Sequence, residues 1–275
     1  MPDQPIQGPA HSSPSAVLLA LEGRALAEWA AGLITLPFLP ASPRGDGHPV
    51  LVLPGLLAGD ASTLVLRRYL NRAGFASHPW RLGRNRGPSG ELIERLAERV
   101  HRLWARSGRK VSLVGWSMGG ALAHGLAQAI PERVRSVITL GSPLAGHPHQ
   151  TNAWRLFERV SGQRADAPEL LARMGQPARV PTTAILSKSD GIVHWRCSLV
   201  PVGEQAESIE VNASHFGLGA HPAVLWIIAE RLAQPEGLWR PFRREGTWRR
   251  LFYRDPRRLR IDGLASRGPE RPPPE

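Results

Sequence analysis

The sequence contains a single cysteine, Cys197, in 275 residues. No disulfide within the chain is possible, a cysteine-rich metal site is excluded, and a reducing compartment such as the cytoplasm fits. Lysine is almost as scarce: only Lys110 and Lys188 occur among 35 basic residues, so arginine carries the positive charge. The first fifteen residues lack the basic and then apolar pattern of a secretory signal, and none is expected. An uninterrupted bilayer-spanning run is also missing. Residues 16–39 come nearest, and Glu22, Arg24 and Glu28 break them.

What is present reads as a soluble globular chain. Hydrophobic residues make up 42% and charged residues 21%, which argues against wholesale disorder and against a membrane channel. The length suits one α/β domain. The net charge is +12, and residues 240–275, with eleven arginines against five acids, contribute +6 of it. Such a tail is read first as solvated, with attraction to anionic lipid as the sharper alternative. No nucleic-acid-binding motif accompanies it, so a nucleic-acid partner is not expected.

Along the chain, residues 1–15 are rich in Pro, Ser and Gly and are expected to lack structure. Residues 16–36 carry Leu and Ala at helical spacing and stop before Pro37, predicting one amphipathic helix in a segment 16–39. It is expected to pack on the domain or wall a substrate cavity, or else to lie in a membrane interface. After a linker, strands are predicted at 50–53, 75–80, 110–114, 134–140, 182–186 and 208–211. Helices are predicted at 62–73, opened by an Asp60/Ser62 cap, at 90–107, from 118 to Pro131, and at 222–233. Strand and helix alternate over 49–235, so the expected fold class is α/β, a mostly parallel sheet covered on both faces. Residues 147–180 interrupt the alternation and are expected to form a helical lid. Residues 236–275 form an Arg/Pro-rich tail.

The chemistry centres on Gly115-Trp116-Ser117-Met118-Gly119. A buried strand runs into this stretch and a helix runs out of it, so the G-x-S-x-G pattern reads as a nucleophile elbow with Ser117 exposed at the strand's carboxyl end. The Met118 amide, at a helix N-terminus, is placed to stabilise a developing oxyanion. A serine hydroxyl needs a base and an acid to orient that base. Asp190, past the strand 182–186, and His215, past the strand 208–211, follow the serine in the order this architecture uses. His194, His124 and His221 are the rival bases, and Asp60 and Asp166 the rival acids. His147 and His149 carry no further ligand at metal spacing, and no metal or cofactor is expected.

These stretches resemble the α/β-hydrolase superfamily, particularly its bacterial esterase- and lipase-like members. The resemblance runs from about residue 50 to 234 and rests on LPGL, GWSMGG, TLGSP, SDGIV and ASHFGLG. It implies a triad of Ser117, Asp190 and His215, with the backbone amides of Leu56 and Met118 as oxyanion donors. Pro54-Gly55 stands where many relatives have His-Gly, which leaves the Leu56 amide in place. Leu57, Trp116 and Trp154 are expected to line an apolar acyl pocket. The implied activity is hydrolysis of a small-molecule carboxylic ester through an acyl-enzyme. Acyl transfer on the same triad is the alternative, and a non-catalytic peripheral membrane or interaction protein is the reading from another class.

Overall fold

Six short stretches pair into one sheet: β1 (Pro49–Leu53), β2 (Ala76–Pro79), β3 (Val111–Trp116), β4 (Val134–Leu140), β5 (Thr182–Ser187) and β6 (Ala206–Val211). They are ordered β2-β1-β3-β4-β5-β6, and every neighbouring pair is parallel. The computed structural model from which this is read describes residues 12–35 and 43–254. Residues 1–11 of the expected unstructured N-terminus and 255–275 of the basic tail lie outside the described residues.

The sequence signal and the packing agree for a simple reason. Successive strand residues point to opposite faces, and here both faces are covered. Val50 and Val52 join α3 (Leu64–Arg72) and α8 (Pro222–Leu232) in one core, whereas Leu51 and Leu53 join α4 (Gly90–Ser107) and α5 (Met118–Ala129) in the other. The central strands are therefore apolar at nearly every position. On α4, Ser89 Oγ accepts from the Leu92 amide at 3.1 Å, Gly108 ends the helix at φ 64°, and Leu96, Val100 and Leu103 are its buried side.

Chain order reverses between β1 and β3, and the carboxyl ends of those strands open the crevice in which α/β sheets place their sites. Above that edge, between β4 and β5, lie a 3₁₀ turn (Pro148–Gln150), α6 (Trp154–Ser161) and α7 (Pro168–Met174). This is the interruption expected at 147–180.

Three local readings change. Asp60 does not cap α3, which is preceded by a 3₁₀ turn (Asp60–Thr63); its carboxylate instead accepts from the amides of Trp80 at 3.0 Å and Arg81 at 3.2 Å. Those amides follow the edge strand β2, where no strand partner takes them. The N-terminal helix forms as α1 (Ala16–Ala20), a 3₁₀ turn (Leu21–Arg24) and α2 (Ala25–Thr35), but it lies with its polar side inward. Glu22 is 6% exposed, whereas Leu26 is 83% and Ile34 68% exposed. Finally, the chain does not leave the domain at residue 236. Phe242 and Tyr253 are buried in the core against α8, Trp248 packs edge-on against Trp226 at 4.3 Å, and the Tyr253 hydroxyl donates to Ala223 O at 2.7 Å. Among the described residues no helix is long and apolar enough to cross a membrane.

Tyr253 tests whether this last segment belongs to the fold. Its ring is fully buried, so Tyr253→Ala is expected to cost about 3–5 kcal/mol, as removal of a large buried aromatic does. Urea unfolding of the full chain measures it, and a loss below about 1 kcal/mol would mean that the segment adds little.

Candidate active site

Ser117 stands between β3 and α5 at φ 53°, ψ −123°, a conformation that non-glycine residues rarely adopt. It is held there from both sides. Its amide donates to Leu140 O on β4 at 2.8 Å. The strand and the helix it joins approach each other without side chains between them: a Cβ on Gly115 would lie 2.3 Å from Gly119 O, and one on Gly119 would lie 2.5 Å from Leu53 O and Pro54 O. The glycines of the motif are thus required by packing, and the strain at Ser117 follows from it.

Asp190 and His215 are brought together from the loops after β5 and β6. His215 Nδ1 and Asp190 Oδ2 are 2.7 Å apart, and both side chains are buried. The other carboxylate oxygen, Oδ1, accepts from the amides of Ile192 and Val193 at 2.8 Å each, which fixes its direction. Nδ1–H donating to the carboxylate leaves Nε2 as the acceptor of the neutral ring. Burial pulls the imidazole towards neutrality, but the Asp190 carboxylate, by charge and hydrogen bond, and the Glu22 charge outweigh it and raise its pKa above the ordinary value. No hydrogen bond joins Ser117 Oγ to the ring among the described residues.

The loop after β1 lies against the serine. A Cβ on Gly55 would meet Ser117 Cβ at 3.4 Å. Asn85, fully buried, ties the loop down: its side-chain amide donates to Pro54 O at 2.8 Å, its carbonyl accepts from Leu57 N, and its amide donates to Ala58 O. Leu56, Ser117 and Met118 line a mostly apolar cavity of about 80 Å³, whose walls also include Trp154, Phe157, Leu170 and Met174 from the segment between β4 and β5.

Of the expected pocket residues, Trp154 lines this cavity and the other two do not. Leu57 takes φ 59° as its amide turns to Asn85, which leaves its side chain 41% exposed outside. Trp116 points into the sheet core and its indole N–H donates to His215 O at 3.1 Å, so it lies behind His215 and away from this cavity. Most of the rival residues are engaged elsewhere. Asp166 makes a two-pronged pair with Arg164 at 2.9 Å between α6 and α7. His124 Nε2 meets Gln176 O at 2.8 Å, the His194 ring accepts from Arg196 N, and His221 precedes α8. The His147 and His149 rings meet edge-on at 4.7 Å, and among the described residues no three His, Cys, Asp or Glu side chains are grouped to hold a metal. Cys197 is buried, and burial pushes its thiol up to about 12, well away from a nucleophile.

Three participants escaped the sequence reading. Asn85 carries no motif. Glu22 and Glu28 were visible only as breaks in an apolar helix, although their six-residue spacing, with Ala25 between them, marks one helix side.

With this geometry, comparison with known proteins gives a consistent answer on fold. Residues 73–174 match the family described as alpha/beta hydrolase fold. The structure is similar to lipase B of Aspergillus fumigatus, with TM-score 0.53 and 17% identity over 72% of this chain. It spans only 56% of that enzyme's own length. A monoacylglycerol lipase of Paleococcus ferrophilus aligns with TM-score 0.50 and 16% identity, covering 68% of this chain and 96% of that one. Lipase BlEst2 of Bacillus licheniformis aligns with TM-score 0.50 and 17% identity, covering 71% and 94%. No curated protein sequence matches significantly. The chain has the α/β-hydrolase fold.

The raised pKa of His215 has a testable consequence for stability. Because the folded value exceeds the unfolded one, the pair's contribution is complete below about pH 6.5 and is lost as pH rises through the folded value. The stability difference between wild type and Asp190→Asn, from urea unfolding between pH 5 and 9, is therefore expected to shrink as pH rises. A difference that stays constant across that range would contradict the assignment.

Proposed function

We propose that the protein is a serine hydrolase that cleaves carboxylic esters bearing an apolar acyl group. The observation that carries this reading is the buried Asp190–His215 pair on the sheet edge where the strained Ser117 opens into an apolar cavity. In the reaction, Ser117 Oγ attacks the ester carbonyl carbon while His215 Nε2 takes its proton. Asp190 keeps the ring in the right tautomer and stabilises the imidazolium. The carbonyl oxygen, now an anion, is received by the amides of Leu56 and Met118, at the positions where such donors are worth most. Collapse of the tetrahedral intermediate breaks the bond to the alcohol oxygen, which leaves with the proton from His215. Water, deprotonated by the same ring, then attacks the acyl-enzyme and releases the carboxylic acid and free Ser117. The serine–histidine hydrogen bond forms as substrate fills the cavity, since such contacts tighten in the Michaelis complex.

The substrate's apolar character fits a partner surface as well. The outward side of α1–α2 exposes Val17, Leu26, Leu33 and Ile34, each more than half accessible, and six arginines against one acid lie in residues 240–254. Docking on an anionic lipid surface uses both: the apolar side inserts at the interface, and each arginine near it adds about 1 kcal/mol, falling off within a Debye length.

Three measurements test these readings. A fluorophosphonate probe is expected to label Ser117 alone, and Ser117→Ala is expected to keep the fold while lowering ester turnover by roughly 10⁴-fold or more. Labelling elsewhere, with Ser117 untouched, would end the hydrolase reading. In co-sedimentation, the protein is expected to pellet with anionic vesicles, less so with added salt, and to stay in the supernatant when Leu26 and Ile34 are both changed to Asp. Equal recovery in the supernatant with and without anionic vesicles would dismiss the docking.

A further inference from the structure

Five hydrogen-bonded residues of the two late loops, Ser189, Gly191, Ser214, His215 and Phe216, are met by side chains of one distant segment. Glu22 Oε1 accepts from the amides of Gly191 at 2.8 Å and His215 at 2.9 Å, and Oε2 accepts from the amide of Phe216 at 3.1 Å. Glu28 accepts from the amide of Ser214 at 3.0 and 3.1 Å and from its hydroxyl. Arg24 donates to Ser189 O at 3.1 Å and Ser189 Oγ at 2.7 Å, and pairs with Glu28 at 3.0 Å. The Trp29 indole donates to Phe216 O at 2.9 Å. These contacts bracket Asp190 and His215 on both sides without touching either side chain.

We infer that Glu22 is a positioning residue of the active site, a carboxylate clamp that joins the backbone of the Asp190 loop to that of the His215 loop and thereby sets the separation of acid and base. Both loops are irregular at these positions, so their buried amides have no ladder to complete them and need an acceptor from elsewhere. One carboxylate with two oxygens serves three of them, which a neutral side chain of the same size does not do. The loops are shaped to admit it. A Cβ on Gly217 would lie 1.6 Å from Glu28 Oε2, and one on Gly191 would lie 2.3 Å from Leu18 O, so the helix seats only against glycine. The same arrangement explains why the helix is turned polar side in: Glu22, Ala25, Glu28 and Gly32 form one side, and Gly32 backs directly onto Ala220 O.

The clamp also acts on charge. The His215 ring is faced by Asp190 and by Glu22, whose charge adds to the upward shift, while the Arg24–Glu28 pair lies beyond at Ser189 and Ser214. Neutralising Glu22 therefore lowers the pKa of the base, and the acid limb of kcat/KM, which reports the free enzyme, moves to lower pH. A residue that served only global stability would lower the amount of active enzyme and leave the limb in place.

This inference rests on the hydrolase reading, and full-length variants separate the two. Glu22→Gln is expected to lower kcat on a soluble short-chain ester by about 10- to 100-fold with KM within about twofold, as loss of preorganisation does. Its acid limb is expected to move down, and the amides of Gly191, His215 and Phe216 are expected to exchange hydrogen faster. Glu22→Asp keeps the charge, so its limb is expected to stay at the wild-type pH although part of kcat is lost. Wild-type kcat in Glu22→Gln, or a loss matched by unfolded protein with an unmoved limb, would overturn the clamp. Should Glu22→Gln not fold, Glu28→Gln is the substitute variant: a severalfold lower kcat with faster exchange at Ser214 supports the clamp, and wild-type values for both overturn it. A wild type that the fluorophosphonate probe does not label at Ser117 would fail the hydrolase reading itself. A labelled wild type with an unaffected Glu22→Gln fails only the clamp.

Discussion

The close contact between β3 and α5 is the constraint on which the rest of the site depends. A serine held at positive φ is costly, on the order of 1–3 kcal/mol for a residue in a sparsely populated region. It persists because the strand before it is locked between β1 and β4 and the helix after it is pressed against Gly115 with no side chain to separate them. Relieving the strain would require moving a central strand or a core helix. The hydroxyl therefore projects from the sheet edge beside the Gly55–Leu56 loop, which Asn85 holds from beneath.

The other half of the site is assembled differently. Asp190 and His215 sit on loops with no regular hydrogen bonding of their own, after the last two strands of the sheet. Strand pairing brings the loops near each other, and Ser189 Oγ donates across to Asn212 Oδ1 at 3.0 Å and Ala213 O at 3.2 Å. In the clamp we infer, the N-terminal helix adds carboxylates that satisfy several amides of these loops at once. The consequence is unusual polarity: a helix whose charged residues face the protein and whose leucines face outward.

Much of the fold was legible because it is local. The 18-residue helix Gly90–Ser107 shows its cap, its stripe and its terminal glycine in sequence, and β4 is a run of branched residues bounded by turns. Ser117 was legible because an elbow needs small residues at fixed offsets, and Asp190 and His215 because each follows a recognisable strand. The misreadings share a cause. Asp60 looks like a cap, yet its carboxylate serves amides twenty residues away. Trp116 looks like a pocket wall because it adjoins the serine, yet alternation along β3 turns it to the other side. Residues 236–254 look like a tail because arginine dominates them, but Phe242, Trp248 and Tyr253 among those arginines fill the space beside α8.

By itself the sequence determined which segments are strands and helices, that both sheet faces are covered, and which serine stands at the elbow. These follow from periodicity and from the steric demands of neighbouring residues. Only the tertiary structure decided which way the N-terminal helix faces and which groups complete the amides of the loops that carry Asp190 and His215. Those depend on partners separated by 169 and 193 positions, Glu22 with Gly191 and with His215. No local pattern encodes such pairs, since a glutamate on a helix looks the same whether water or a backbone amide from across the chain receives it.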